Sequence, residues 1–348
     1  KNQLHAHLSG SISRECLHEI WCRKKAAELD LDLEDPLVAI PPGKVDYDLH
    51  TFFPLFSSYI YKLCSDPQSI EYSTHSVLTS FEADNVVYAE LRTTPRALPS
   101  PPSPTPLSPA AHIDLVLSAL AAHNARPDTR LHARLILSVD RGSHDAAAAA
   151  HIVDLAIARR HAGVVGVDLG GNPARGDVGI FAAAFARAAA AGLGVAVHFG
   201  EVGEAAGGGG EAELWELLGW RPRRLGHVVH VGDEVRREVV RRGLPVELCL
   251  SCNVLAGMVE GGVEGHHFGW WKDVGVPVAL ATDDVGVFCS PLSNEYYLAA
   301  EHFDLHKADI KRLCLGAVGA IFGGQDEIDR LVKIYGNWEG WNDGRYDF

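Results

Sequence analysis

Short apolar runs, separated by helical stretches, recur along the 348 residues and leave this chain few possible architectures. They fall at 3–8 (QLHAHL), 86–93 (VVYAELRT), 133–139 (ARLILSV), 164–169 (VVGVDL), 193–199 (LGVAVHF), 225–230 (LGHVVH), 244–250 (LPVELCL) and 277–282 (PVALAT). Each has the length and composition of a buried strand. Between them lie helical patterns such as 112–124, 145–161, 178–191 and 233–242. Such alternation predicts parallel strands joined by crossover helices. Eight units predict an α/β fold closed as a (β/α)8 TIM barrel rather than an open sheet. The first crossover, 9–85, is long enough to carry several extra helices, and the whole of 1–348 is expected to form a single barrel domain.

The chain is 47% hydrophobic and 22% charged, which suits one large core, and its net charge of −14 argues against a nucleic-acid polymer as partner. Its seven cysteines are an odd number at scattered spacings, and no N-x-S/T sequon occurs. Both facts suit a reducing, cytoplasmic setting. No run of 18 apolar residues exists, so no membrane partner is expected, and the lack of a heptad pattern points to a monomer. The Pro/Ser-rich segment 98–109 reads as an extended, mobile loop, Gly207–Gly210 as a second flexible stretch, and 336–348 as an aromatic, acidic tail that packs on the barrel or hangs loose.

The polar residues that interrupt these apolar runs carry the chemistry. His5 and His7 are two apart in the first run, so both side chains share one face. His198 ends the fifth run with Glu201 just beyond it, His227 lies in the sixth, and Asp283 and Asp284 end the eighth. All stand near the C-terminal strand ends, where barrels build their active sites. Two carboxylates closing a buried strand are costly unless a cation or hydrogen bonds compensate, and three histidines with one aspartate make a plausible zinc shell. Zinc lowers the pKa of water from ~15.7 towards ~7, implying attack of hydroxide on an electrophilic ring carbon. Glu201 is placed to protonate the ring, His227 to orient the attacking group and stabilise charge, and Asp284 to hydrogen-bond the substrate.

Taken together, His5-x-His7, His198–Glu201 (HFGE), Gly226-His227 and Thr282–Asp284 (TDD) closely resemble the adenosine deaminase family, in order and spacing, from residue 3 to about 320. The resemblance implies one Zn2+ per chain held by His5, His7, His198 and Asp283. It implies Glu201 as proton donor to a purine, His227 acting on the attacking water, and Gly171 and Asp284 as purine contacts. Patterns similar to the N6-methyl-AMP deaminase branch occur at 90–96 (ELRTTPR), 137–142 (LSVDRG), 167–173 (VDLGGNP), 247–254 (ELCLSCNV), 266–271 (HHFGWW) and 282–296. That branch places Thr93, Thr94, Pro95, Arg96 and Asp140 on the ribose-phosphate side, with Arg96 matching phosphate geometry. His7 also belongs to the implied substrate set. Ser9 and Tyr61 stand where the branch carries Asn and His; both can still hydrogen-bond phosphate or sugar. The implied reaction converts N6-methyl-AMP to IMP and methylamine, with adenosine as the alternative substrate.

Rival readings are weaker. The fourth run lacks the lysine that a two-metal amidohydrolase needs, and a non-catalytic relative would lack Glu201. The H-x-E with P-C-x-x-C signature of polynucleotide deaminases and the G-x-S-x-G elbow are both missing. Cys249 and Cys252 read as packing, Arg92 as an ion-pair partner of Glu90, Asp168 as a buried hydrogen-bonding group, and Arg236, Arg237, Arg241 and Arg242 as a solvated helix face. His266-His267 with Trp270-Trp271 reads equally as a lid or as a satisfied loop-helix junction.

Overall fold

The computed structural model describes residues 1–27, 31–100 and 103–336, so the tail 337–348 lies outside the described residues. The barrel strands are β1 Asn2–His7, β2 Tyr88–Thr93, β3 His132–Asp140, β4 Val164–Gly170, β5 Gly194–Phe199, β6 Arg224–His227, β7 Val246–Leu248 and β8 Val278–Leu280. They lie in sequence order in one eight-stranded sheet of parallel pairs. The barrel closes just past β8, where Ala6 pairs with Asp283. His7 N donates to Asp283 O at 3.1 Å there, and Asp283 N to His5 O at 3.0 Å.

The later strands are shorter than the apolar runs suggest. β6 stops at His227 because His227 and Val228 adopt φ of 66° and 49°, which no strand continues. β7 gives way to a helix, Leu250–Leu255, capped by Cys249.

The long first crossover carries helices Arg14–Ala26, Pro36–Ala39, Leu49–Leu55, Tyr61–Leu63 and Pro67–Ala83, with a π-helical turn, Phe56–Ile60, after Pro54. Local sequence sets its boundaries. Asp66 and Ser69 form a capping box around Pro67, and Asp48 and Thr51 do the same for Leu49–Leu55. A π-turn puts an extra residue into a helix and frequently marks a functional surface; here it swings Phe56 and Ser57 towards the mouth of the barrel.

The Pro/Ser-rich segment is not a plain loop. Leu98–Ser100 pairs antiparallel with Ser103–Leu107, and Ser108 then caps helix Pro109–Asn124. A two-stranded ribbon consists only of edges, where proline's missing donor is tolerated. Gly207–Gly210 joins a 3-10 turn, Glu204–Ala206, to helix Gly210–Gly219. None of the helices described is long and apolar enough to cross a membrane.

The barrel interior is charged. Arg92 bonds Asp168 at 2.8 Å and also Glu247, while Arg224 reaches Glu90 at 2.6 Å and Glu247 at 2.5 Å, all fully buried. The expected Arg92–Glu90 pair is therefore replaced by a lattice across strands, in which each guanidinium meets carboxylates from other strands instead of the one two residues away. Asp168 is the buried acceptor expected of it, with Ser138 Oγ donating at 3.1 Å. Three carboxylates, Glu90, Asp168 and Glu247, face two guanidiniums beneath the barrel mouth.

Candidate active site

At the C-terminal end of the barrel, β1 and β5 bring three imidazoles together. His198 Nε2 lies 3.2 Å from His5 Nε2 and 3.1 Å from His7 Nε2. Asp283 Oδ1, just beyond β8, is 3.4 Å from both His5 Nε2 and His7 Nε2. Donors placed tetrahedrally at ~2.0–2.1 Å from an ion would stand about 3.3–3.4 Å apart. His5, His198, His227 and Asp283 likewise offer ligand atoms within 4.8 Å of one another.

The proton positions show why these atoms suit a cation. His198 Nδ1 stands 2.8 Å from Leu169 O, a carbonyl that can only accept, so Nδ1 carries the proton and Nε2 a lone pair. His5 Nδ1 faces Glu247 Oε2 at 2.8 Å, again as donor. Burial pushes His7 down to about 3, keeping it neutral. The Nε2 lone pairs of His5 and His198 therefore face a site shared with an Asp283 oxygen that has no hydrogen-bond partner among the described residues. Burial works against charge on Asp283, yet His5 and the other imidazoles hold it well below the usual carboxylate range. His5 is raised despite burial and Arg92, through Asp283 and Glu247, so the centre favours a positive charge between these groups. The donor set fits a divalent cation such as zinc, and metal-ligating histidines are oriented by acceptors of this kind.

Three further groups surround the centre. Burial, and then the Asp283 charge, push Glu201 up to about 7, and its Oε2 is unpartnered. Burial, then Asp283 and Glu201, raise Asp284 well above the carboxylate range. Nothing larger than glycine fits beside it: a Cβ on Gly10 would lie 1.5 Å from Asp284 Oδ1. His227 is fully buried and held neutral by burial; its Nε2 stands 3.8 Å from Asp283 Oδ2 and 3.9 Å from Glu201 Oε1.

A cleft of about 390 Å³ opens onto this cluster, within the range of small-molecule sites. His7, Ser9, Tyr61, Thr93, Thr94, Asp140, Gly171, His198, Glu201, Asp283 and Asp284 all line it. Gly171 takes φ 88°, and a Cβ there would meet Asp140 Oδ1 at 2.1 Å. Pro95 and Arg96 do not line the cleft. The Arg96 guanidinium lies 4.4 Å over the Tyr61 ring and donates to Cys64 O at 2.8 Å, so it braces the wall from behind. Two other arginines line the cleft: Arg92, fully buried in its ion pairs, and the exposed Arg175, beside Ser143 and Asn172. Phe52, Phe53 and Phe56, from the first crossover, add an apolar wall. No motif marked these residues: Arg175 follows the GGNP stretch, and the phenylalanines lie in the long first crossover.

Two sequence features gain defined places. Cys252 Sγ donates to Asp283 Oδ2 at 3.0 Å, so this buried thiol does more than pack. His266-His267 forms a hydrogen-bonded junction: His267 Nε2 bonds His227 O at 2.6 Å and His266 Nε2 lies 3.3 Å from Asn253 Oδ1, while His267 Nδ1 has no partner among the described residues. Trp271 is fully buried behind them.

An eight-stranded barrel carries at its C-terminal mouth a histidine-carboxylate group that could hold a metal ion, with a protonatable glutamate beside it. The chain belongs to the adenosine deaminase family, whose model matches residues 1–335. It is 34% identical over 344 residues to the N6-Methyl-AMP deaminase of Danio rerio, covering 96% of this chain and 94% of the relative. It is 32% identical over 356 residues to the N6-mAMP deaminase of Arabidopsis thaliana, covering 96% and 95%. The crystal structure of Arabidopsis ADAL complexed with GMP superposes with a TM-score of 0.86 at 31% identity, covering 97% of this chain and 96% of that one.

Proposed function

We propose that this chain is a zinc-dependent hydrolytic deaminase of N6-substituted adenine nucleotides, converting N6-methyl-AMP to IMP and methylamine with one Zn2+ per chain. The observation that carries the reading is the convergence of His5, His7, His198 and Asp283 beside two acids that burial keeps protonatable, Glu201 and Asp284. The relatives reported above, named for N6-methyl-AMP, support the substrate.

Zinc held by those four residues would supply Lewis acidity, bringing the pKa of water from ~15.7 towards ~7. The protein's own groups do the rest. Glu201, neutral below about pH 7, donates a proton to purine N1 and so makes C6 electrophilic. Protonated Asp284 donates to a purine acceptor. His227 orients the attacking water against C6. Water adds to C6, and the Glu201 carboxylate left by protonating N1 takes up the proton that water loses; as the C6–N bond breaks, the remaining hydroxyl proton passes to the leaving amine and C6 becomes a carbonyl. Gly171 lets the chain pass close to the purine, and Phe52, Phe53 and Phe56 exclude water from one wall of the cleft.

The partner is thus a small purine nucleotide, and the setting a cytoplasmic one with the chain acting as a monomer. Turnover of N6-methyl-AMP, AMP and adenosine, measured side by side, tests the assignment. N6-methyl-AMP should be preferred, activity should vanish with a chelator and zinc should restore it. Better turnover of adenosine than of either nucleotide would overturn the nucleotide reading.

A further inference from the structure

Three groups behind His227 form a chain in which each proton position dictates the next. Phe268 N donates to His266 Nδ1 at 3.0 Å. A backbone N–H can only donate, so His266 Nδ1 holds a lone pair. Burial pushes His266 down to about 2, so the ring is neutral and its single proton sits on Nε2. That Nε2 faces Asn253 Oδ1 at 3.3 Å, which turns the amide so that its Nδ2 meets His227 Nδ1 at 3.1 Å. The other Nδ2 hydrogen points to Met258 Sδ at 3.5 Å. His227 Nδ1 is therefore an acceptor, and neutral His227 carries its proton on Nε2, facing the active site.

The opposite arrangement fails. Flipping Asn253 would set its Nδ2 against His266 Nε2, which would then need a lone pair. The His266 proton would move to Nδ1 and meet the Phe268 N–H, donor against donor. The amide orientation is thus determined by a backbone group. His267 completes the clamp from the other side. Its Nε2 bonds His227 O at 2.6 Å, at the residue whose φ of 66° turns the imidazole inward. His267 stacks on His266 with ring centroids 4.0 Å apart, so one dipeptide holds both the backbone and the tautomer of His227.

We propose that Asn253 and His266 are positioning residues that fix His227 as an Nε2–H donor, so that His227 enters the reaction by hydrogen-bonding the oxygen attacking C6 and not by removing its proton. The inference rests on the deaminase reading only for its kinetic consequence; the tautomer itself is a property of the folded chain.

The test is long-range 1H–15N correlation on the full-length, 15N-histidine-labelled protein, alongside steady-state kinetics with N6-methyl-AMP. The wild type should show His227 protonated at Nε2. In Asn253→Asp, a carboxylate accepts from Nδ1–H, the tautomer inverts, and kcat should fall at least tenfold while KM changes less than threefold. His266→Leu should randomise the tautomer and lower kcat, while His266→Gln, which keeps a donor for Asn253 Oδ1, should recover most of it. This second pair guards against misfolding of the first variant. A wild-type spectrum with the proton on Nδ1, wild-type kcat in Asn253→Asp, or equal losses in the two His266 variants would each overturn the proposal. If the wild type turned over no adenine nucleotide yet showed the Nε2–H signature, the deaminase reading would fall and the relay would stand.

Discussion

Glu247 Oε2 lies 2.8 Å from His5 Nδ1 and also accepts from Arg92, so one carboxylate joins the metal-type centre to the ion lattice filling the barrel. Its other oxygen accepts from Arg224 Nε at 2.5 Å. Glu247→Gln keeps the shape but removes the charge that balances both guanidiniums and orients His5. Losing a group that orients a ligand costs ~10–100-fold in metal affinity. Breaking a buried pair costs about 3–5 kcal/mol. Metal content measured against graded chelator, with thermal unfolding of the same samples, should show both losses; a variant that unfolds early but keeps wild-type metal affinity would separate Glu247 from the centre.

Glu201 has a different relation to the same centre, because it touches no ligand nitrogen within hydrogen-bond distance among the described residues. Glu201→Gln preserves volume and removes the acidic proton. The expected result is a kcat lower by ~10²–10⁴-fold, the usual worth of a general acid, with metal content unchanged. Single-turnover assays on metal-quantified protein check this, and undiminished deamination would remove Glu201 from the reaction.

The barrel was legible because its signal is periodic: eight apolar runs in order leave little else to build, and the histidines and aspartates sit in or just beyond those runs. What could not be read depends on directions set by tertiary packing. Arg96 and Arg175 are both arginines near strand ends, and nothing local tells which one faces the cleft; the Tyr61 ring and Cys64 O capture the first. Arg92 was paired with the wrong carboxylate because spacing along one strand says nothing about the strands opposite. Asn253 fell inside the branch-like stretch 247–254 but no role could be read for it, since an amide acquires its role only from the two imidazoles it joins.

Arg175 offers the exposed guanidinium on a cleft wall that also carries Asp140, Glu201, Asp283 and Asp284. A nucleotide phosphate entering there needs a cation, and a hydrogen bond to a charged group is worth about 1.5–3 kcal/mol. Arg175→Ala should therefore lower kcat/KM for N6-methyl-AMP by roughly 10–100-fold while leaving the rate with a nucleoside unchanged. Arg96→Ala should instead lower the melting temperature through the lost Tyr61 and Cys64 contacts. Equal sensitivity of nucleotide and nucleoside to Arg175→Ala would show that this arginine does not meet the phosphate.

Glu295 links stability to pH. It is fully buried, accepting from Ser251 N at 3.1 Å, Ser290 Oγ at 2.6 Å and the Ser251 hydroxyl. Burial outweighs these bonds and pushes it up to about 7 from an ordinary 4.5. Between those values the native state holds a proton that the unfolded chain has released, so its contribution is most favourable below about 4.5 and is lost as pH rises through about 7. At ~1.4 kcal/mol per pH unit the whole effect is about 3 kcal/mol. Glu295→Gln mimics the protonated acid at every pH. Urea unfolding of both proteins should give similar stabilities near pH 5 and a variant more stable than wild type near pH 8. Parallel stability curves would mean that Glu295 keeps an ordinary carboxylate's acidity in the folded chain.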